Sequence, residues 1–168
     1  MKKTPTGKGK GSTPATMQLE RAAVAFTLYE YHHSTDHMDG GYGVEAAEKL
    51  GIDPRQVFKT LIADTGTKRV VAVVPVSGHV DLKALAAAVH EKKASMADTT
   101  VAQRESGYVV GGISPFGQKT RHETVLDESA LAYDMILVSG GKRGFDIGVD
   151  PRDLVTVLHA MTARIGTW

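Results

Sequence analysis

The chain has 168 residues, 42% of them hydrophobic and 23% charged, the composition of one globular domain long enough to bury a core unaided. It contains no cysteine, which excludes disulfides, thiolate metal sites and a protein thiol nucleophile. The formal net charge is +1, but Lys2, Lys3, Lys8 and Lys10 fall in an acid-free start; without those four lysines the 20 basic residues no longer match the 19 acids. A slightly acidic body is no general polyanion binder, so any contact with nucleic acid has to use a local patch. No apolar run approaches the roughly 20 residues of a membrane span, and Met1-Lys2-Lys3 leads into no apolar signal core, so a cytoplasmic protein without membrane contact is expected.

Residues 1–15, rich in Lys, Gly, Thr and Pro and without apolar periodicity, read as a disordered tail ahead of one domain over 16–168. Gly7-Lys-Gly-Lys-Gly11 lacks the Gly-Lys-Ser/Thr triplet of a phosphate-binding loop. Met17 to about Ala25 reads as a helix with Leu19, Ala22, Ala23 and Phe26 on one side, followed by a strand from Thr27. His32, His33 and His37 with Asp36 and Asp39 resemble a metal cluster, but no regular structure pins them, and solvated loop histidines are expected. Gly41-Tyr-Gly-Val-Glu-Ala46 matches G-x-G-x-x-A and opens a helix over 44–50 closed by Gly51. No buried strand precedes it and no βαβ unit follows, so it is not a dinucleotide fingerprint.

Asp53-Pro54 begins a single turn, and Phe58–Asp64 with Arg69–Val76 forms a hairpin, Phe58 and Thr60 sharing one face and Lys59 the other. Asp81 and Asp98 cap two helices, the first reaching His90 with Leu82, Leu85, Ala86 and Val89 inward, the second ending near Gly107. Tyr108, Val109 and Val110 have strand character and run into a loop with Gly111, Gly112, Pro115 and Gly117. Strands are expected at Glu123–Leu126, Met135–Ser139 and Phe145–Val149, the last two joined by the Gly140–Gly144 turn, with a helical turn from Glu128 to Tyr133 between. A last helix starts at Asp150-Pro151 with Leu154, Val155, Leu158 and Met161 facing the body. Strands and helices mix without strict alternation, so the fold class is α+β.

The candidate site is then a lysine, Lys59, with two glycine-rich turns that offer backbone N–H groups, and with Ser114, Ser139 and Asp146 nearby in sequence. Neither a nucleophile–base pair nor a metal motif is present, and no cofactor is called for. Such a site holds an anionic group and stabilises an oxyanion, but the attacking group has to come from elsewhere.

Phe58-Lys59-Thr60-Leu61, Gly107-Tyr-Val-Val-Gly-Gly-Ile-Ser-Pro-Phe-Gly-Gln-Lys119 and Val138-Ser-Gly-Gly-Lys-Arg-Gly144, in this order, closely resemble the YbaK family of free-standing aminoacyl-tRNA deacylases, related to the editing domain inserted in bacterial prolyl-tRNA synthetases. The resemblance runs from about Met17 to the last helix, is strongest to the cysteine-selective branch, and implies a mixed, largely antiparallel sheet curled toward a barrel with flanking helices. It implies removal of cysteine from Cys-tRNA(Pro), and from Cys-tRNA(Cys), with the substrate's own thiol attacking its ester, and prolyl-tRNA synthetase as a partner of a monomeric enzyme. It further implies that Lys59 contacts the terminal adenosine's phosphate, that Ser139, Gly140, Gly141 and Asp146 shape the aminoacyl pocket, and that Tyr31, Tyr42, Phe58 and Thr60 lie along it. The loop Gly111, Gly112, Ile113, Ser114 and Pro115 would border the terminal nucleotide. Two features depart from the family pattern: Tyr42 stands where phenylalanine is expected, and the loop from His33 to Gly41 is about two residues longer. The alternatives are a deacylase for another small amino acid, a noncatalytic tRNA- or synthetase-associated module, and a nucleotide-binding regulator, which lacks a fingerprint.

Overall fold

The computed structural model describes residues 2–5, 12–33 and 41–168. In chain order these form β1 (Lys2–Pro5), α1 (Pro14–Arg21), β2 (Phe26–Glu30), α2 (Tyr42–Leu50), β3 (Phe58–Asp64), β4 (Arg69–Pro75), β5 (His79–Val80) and α3 (Leu82–Ala88). There follow β6 (Ser95–Met96), α4 (Thr99–Ser106), β7 (Glu123–Asp127), a 3-10 turn (Glu128–Ala132), β8 (Ile136–Lys142), β9 (Phe145–Val149), α5 (Pro151–Leu158), β10 (Met161–Ala163) and β11 (Gly166–Thr167).

One sheet has the order β1-β2-β9-β8 and is antiparallel throughout. A second has the order β10-β7-β4-β3-β6, with β7 parallel to both β4 and β10. The sheets meet where Val57 bridges Leu137, just before β3. The α+β class inferred from the sequence is the one observed, but the strands form two main sheets that meet along this seam without closing into a barrel. Phe116, Leu126, Ile136, Ile147 and Leu154 are fully buried in the main core, and β4 is apolar and buried from Val70 to Pro75 because both of its faces are covered there. Among the described residues no helix is long and apolar enough to cross a membrane.

Caps fix most helix boundaries. Asp81, Asp98 and Asp150 each accept a backbone N–H in the first turn of the helix that follows, as their positions predict. Gly51 and Gly107 close α2 and α4 in the left-handed conformation, where a Cβ is costly.

Several expectations need correction. Lys2–Pro5 is not a free tail but a strand, paired from Lys2 opposite Glu30 to Pro5 opposite Thr27; Gly7–Gly11 lies outside the described residues. The first helix begins at Pro14, because Thr13 and Thr16 form a reciprocal cap, and it ends at Arg21, leaving Ala22 and Ala23 exposed. Tyr108–Val110 is loop: left-handed Gly107 and Gly111 flank it, Val110 N–H donates to Gln103 Oε1, and the Tyr108 hydroxyl donates to Phe116 O at 2.6 Å. Met161 does not extend the last helix, because His159 caps α5 at φ 51° and the chain leaves as β10 along β7. The two-residue strands β5, β6 and β11 carry too little pattern to be read from sequence.

Candidate active site

β3 positions the cation. Its side chains alternate across the strand, and Lys59 is carried toward the β4–β5 turn, where Nζ donates to Gly78 O at 2.9 Å. Gly78 is itself held from behind. A Cβ there would lie 2.2 Å from Thr167 O and 2.5 Å from the Trp168 ring, so the C-terminal strand sets the carbonyl that tethers the lysine. Burial lowers the Lys59 pKa, and none of the ion pairs among the described residues includes it.

β8 and β9 position the acid. Asp146 lies opposite Ser139 in their register and opposite Tyr29 across β2, and is 5% exposed. Burial pushes its carboxyl up to about 7, and burial first, then the Asp146 charge, raises the Tyr31 phenol. Ser139 Oγ accepts from Gly141 N–H at 3.4 Å and, among the described residues, is paired with no imidazole or carboxylate.

These groups face one cavity of about 390 Å³. Lys59, Tyr31, Tyr42, Ser139 and Asp146 line it, together with Phe58, Thr60, Gly111 and Ile113. The cavity thus gathers the lysine, the buried acid and part of the first glycine loop, with Ser139 just ahead of the second turn. It follows β3 from Phe58 to Ile62, four steps of about 3.3 Å, or roughly 13 Å. Lys59, Ser139 and Asp146 supply charged and polar groups to its wall, and Ile62, Ala97 and Ala102 are among its apolar lining. Thr60 Oγ1, on this wall, is buried and has no hydrogen-bond partner among the described residues.

Gly112, Ser114, Pro115, Gly140 and Gly141 are set back from the cavity and support it. Ser114 is fully buried, its Oγ accepting from Phe116 N–H at 3.2 Å, so it shapes the loop and does not face a ligand; Pro115 is buried beside it. Gly140 O accepts from the Thr13 hydroxyl, and Gly141, at φ 111°, leaves space filled by Tyr108 and Thr13. Gly112 is where the two glycine turns touch, since a Cβ there would lie 2.7 Å from Lys142 Cα. Gly112→Ala is expected to drive the turns apart at a cost of about 1–3 kcal/mol, and a lowered thermal midpoint with weakened ligand binding would register it.

His33 differs from the expected solvated histidine: it is half-buried, with Nδ1 2.8 Å from Glu45 Oε1, and its ring centroid is 5.5 Å from that of Tyr42. His37, Asp36 and Asp39 lie outside the described residues. Sequence reasoning missed Gly78, Ala97, Ala102 and the Arg143 guanidinium, whose carbon lies 4.7 Å from the Tyr42 ring centroid. The only signal for Gly78 was its place directly after an apolar strand.

Fold and cavity together define a protein of the aminoacyl-tRNA editing class, for residues 42–157 match the family described as Aminoacyl-tRNA editing domain. The chain belongs to this family. It is 37% identical over 161 residues to an Enterococcus faecalis protein, EbsC, described as a candidate Cys-tRNA(Pro)/Cys-tRNA(Cys) deacylase, covering 95% of this chain and 96% of that one. A solved structure described as a candidate trans-editing enzyme for prolyl tRNA synthetase superposes with a TM-score of 0.80 at 21% identity, over 96% of this chain and 100% of the other. A hypothetical protein, APE2540, superposes with a TM-score of 0.81 at 20% identity, over 92% and 100% of the two chains. At these identities the two superpositions speak for the fold alone.

Proposed function

We propose that this chain is a trans-editing deacylase that removes cysteine from Cys-tRNA(Pro), and also from Cys-tRNA(Cys), using the thiol of the substrate. The observation that carries this reading is what the cavity holds: an ammonium and a buried acid, but, among the described residues, no nucleophile hydrogen-bonded to a base. A protein without cysteine has no thiol of its own to offer.

The substrate sulfur attacks the ester carbonyl carbon; the S–C bond forms, the bond from carbon to the ribose oxygen breaks, and the thiol proton ends on that oxygen. Free tRNA and a four-membered thiolactone leave. Because nucleophile and ester are on one small group, the enzyme supplies confinement and charge. Lys59 holds the phosphate of the terminal adenosine, Asp146 and Ser139 form the aminoacyl end, and Tyr31 and Tyr42 wall it. The enzyme works as a cytoplasmic monomer, with prolyl-tRNA synthetase as its partner.

The test is a discharge panel in which purified protein is mixed with Cys-tRNA(Pro), Cys-tRNA(Cys), Ala-tRNA(Pro) and Pro-tRNA(Pro). Cysteinyl esters are expected to be lost at least 10-fold faster than the others. Protection of every ester would mark a noncatalytic binding module instead.

A further inference from the structure

The body of the chain carries more acids than bases, so RNA has to be met by a local group of cations, and one stands against two residues that line the cavity, Val110 and Tyr42. Arg143 leaves the β8–β9 turn between Gly141 and Gly144, at φ 111° and 78°, two left-handed positions that fix its direction. Its Nε donates to Val110 O at 2.8 Å and its guanidinium stacks on Tyr42, so it joins two walls of the cavity. Lys142 stands beside it, its Nζ 5.0 Å from the Phe145 ring centroid. Both side chains are exposed, and neither takes part in the ion pairs among the described residues. Nε is used on the carbonyl and one face on the ring, which leaves the two terminal amino groups of a pre-oriented guanidinium for an anion.

We infer that Arg143, with Lys142, is a phosphate-binding rim that grips the backbone of the RNA acceptor strand beside the cavity. This rests on the reading of the cavity as an aminoacyl-tRNA site, and it names the residues that hold the strand there. Stacking and a fixed hydrogen bond order the arginine before the ligand arrives, so little side-chain entropy is lost on binding. The rim is a positioning device and leaves the cleavage step to the cavity.

The experiment compares a cysteinylated acceptor-stem minihelix with cysteinyl-adenosine, which has no phosphate, and measures binding of the uncharged minihelix by fluorescence anisotropy against salt. Arg143→Ala is expected to raise KM for the minihelix about 10-fold with kcat nearly kept, and to lower the salt slope by about 0.7–1. Its loss on cysteinyl-adenosine is expected to be under about twofold, a difference that a disturbed cavity would not give. Arg143→Lys is expected to restore the salt slope, and Arg121→Ala, on a separate cavity, to change nothing. Equal losses on both substrates, or an unchanged salt slope, would overturn the rim. If wild-type protein binds the minihelix with the expected slope but discharges neither ester, the rim stands and the deacylase reading falls.

Discussion

Lys59→Ala is expected to reduce discharge of the cysteinyl ester by about 10²–10³-fold, the usual result of removing one pre-oriented charged donor from a water-poor site. The fold is expected to survive with its thermal midpoint within about 2 °C. The ammonium is half-buried, its pKa is lowered by that burial, and it donates to one backbone carbonyl, Gly78 O. Its removal takes away a desolvation cost along with one hydrogen bond, and these nearly offset. Lys59→Arg is expected to rescue poorly, because a planar fork cannot sit on a single carbonyl and a ligand phosphate in the space of an ammonium. A large loss of stability in Lys59→Ala would turn the lysine into a structural residue and remove it from the site.

Asp146→Asn is expected to act in opposite directions on stability and activity. The carboxyl is buried and its folded pKa is raised from 3.8 to about 7. The folded state therefore binds a proton more tightly than the unfolded chain, so the wild type is favoured at low pH and loses stability as pH rises from about 4 to about 7. Asparagine has no such charge. The variant should match wild type near pH 4, gain on it through that window, and above pH 7 hold an advantage of at least about 2 kcal/mol, several degrees in midpoint. If Asp146 forms the aminoacyl end of the site as proposed, activity should fall by about 10²-fold or more, since losing a buried carboxylate that meets a charged ligand group costs several kcal/mol. Thermal melts at pH 4 and pH 8 with discharge assays at pH 8 check both halves.

The sequence was informative where one residue type solves a local problem. Asp81, Asp98 and Asp150 mark helix starts, Gly51 and Gly107 mark ends, and the β3–β4 hairpin shows its alternation directly. It misled where tertiary contacts outweigh local pattern. Tyr108–Val110 is as strand-like as β9 in composition, yet the Tyr108 hydroxyl reaches Phe116 O and folds the segment into a loop. β1 has no pattern of its own and exists as a partner of β2. In the site, Lys59, Asp146 and the glycine turns were legible as types, because cations, buried acids and glycines carry chemistry or conformation in their identity. The glycines divided in a way that spacing does not encode: Gly111 lines the cavity, whereas Gly112 and Gly141 make room for a neighbouring turn and an aromatic ring. The contact from Gly78 to Lys59 joins residues 19 apart, and no periodicity reports it.

The most direct measurement compares single-turnover discharge of one tRNA carrying cysteine with the same tRNA carrying serine, which replaces the attacking sulfur by oxygen and little else. If substrate sulfur cleaves the ester while Lys59 and the paired turns only hold it, the seryl ester is discharged at least about 10²-fold more slowly, because a hydroxyl is far less ionised than a thiol. Equal rates would mean that water or a protein group attacks, and would contradict the account.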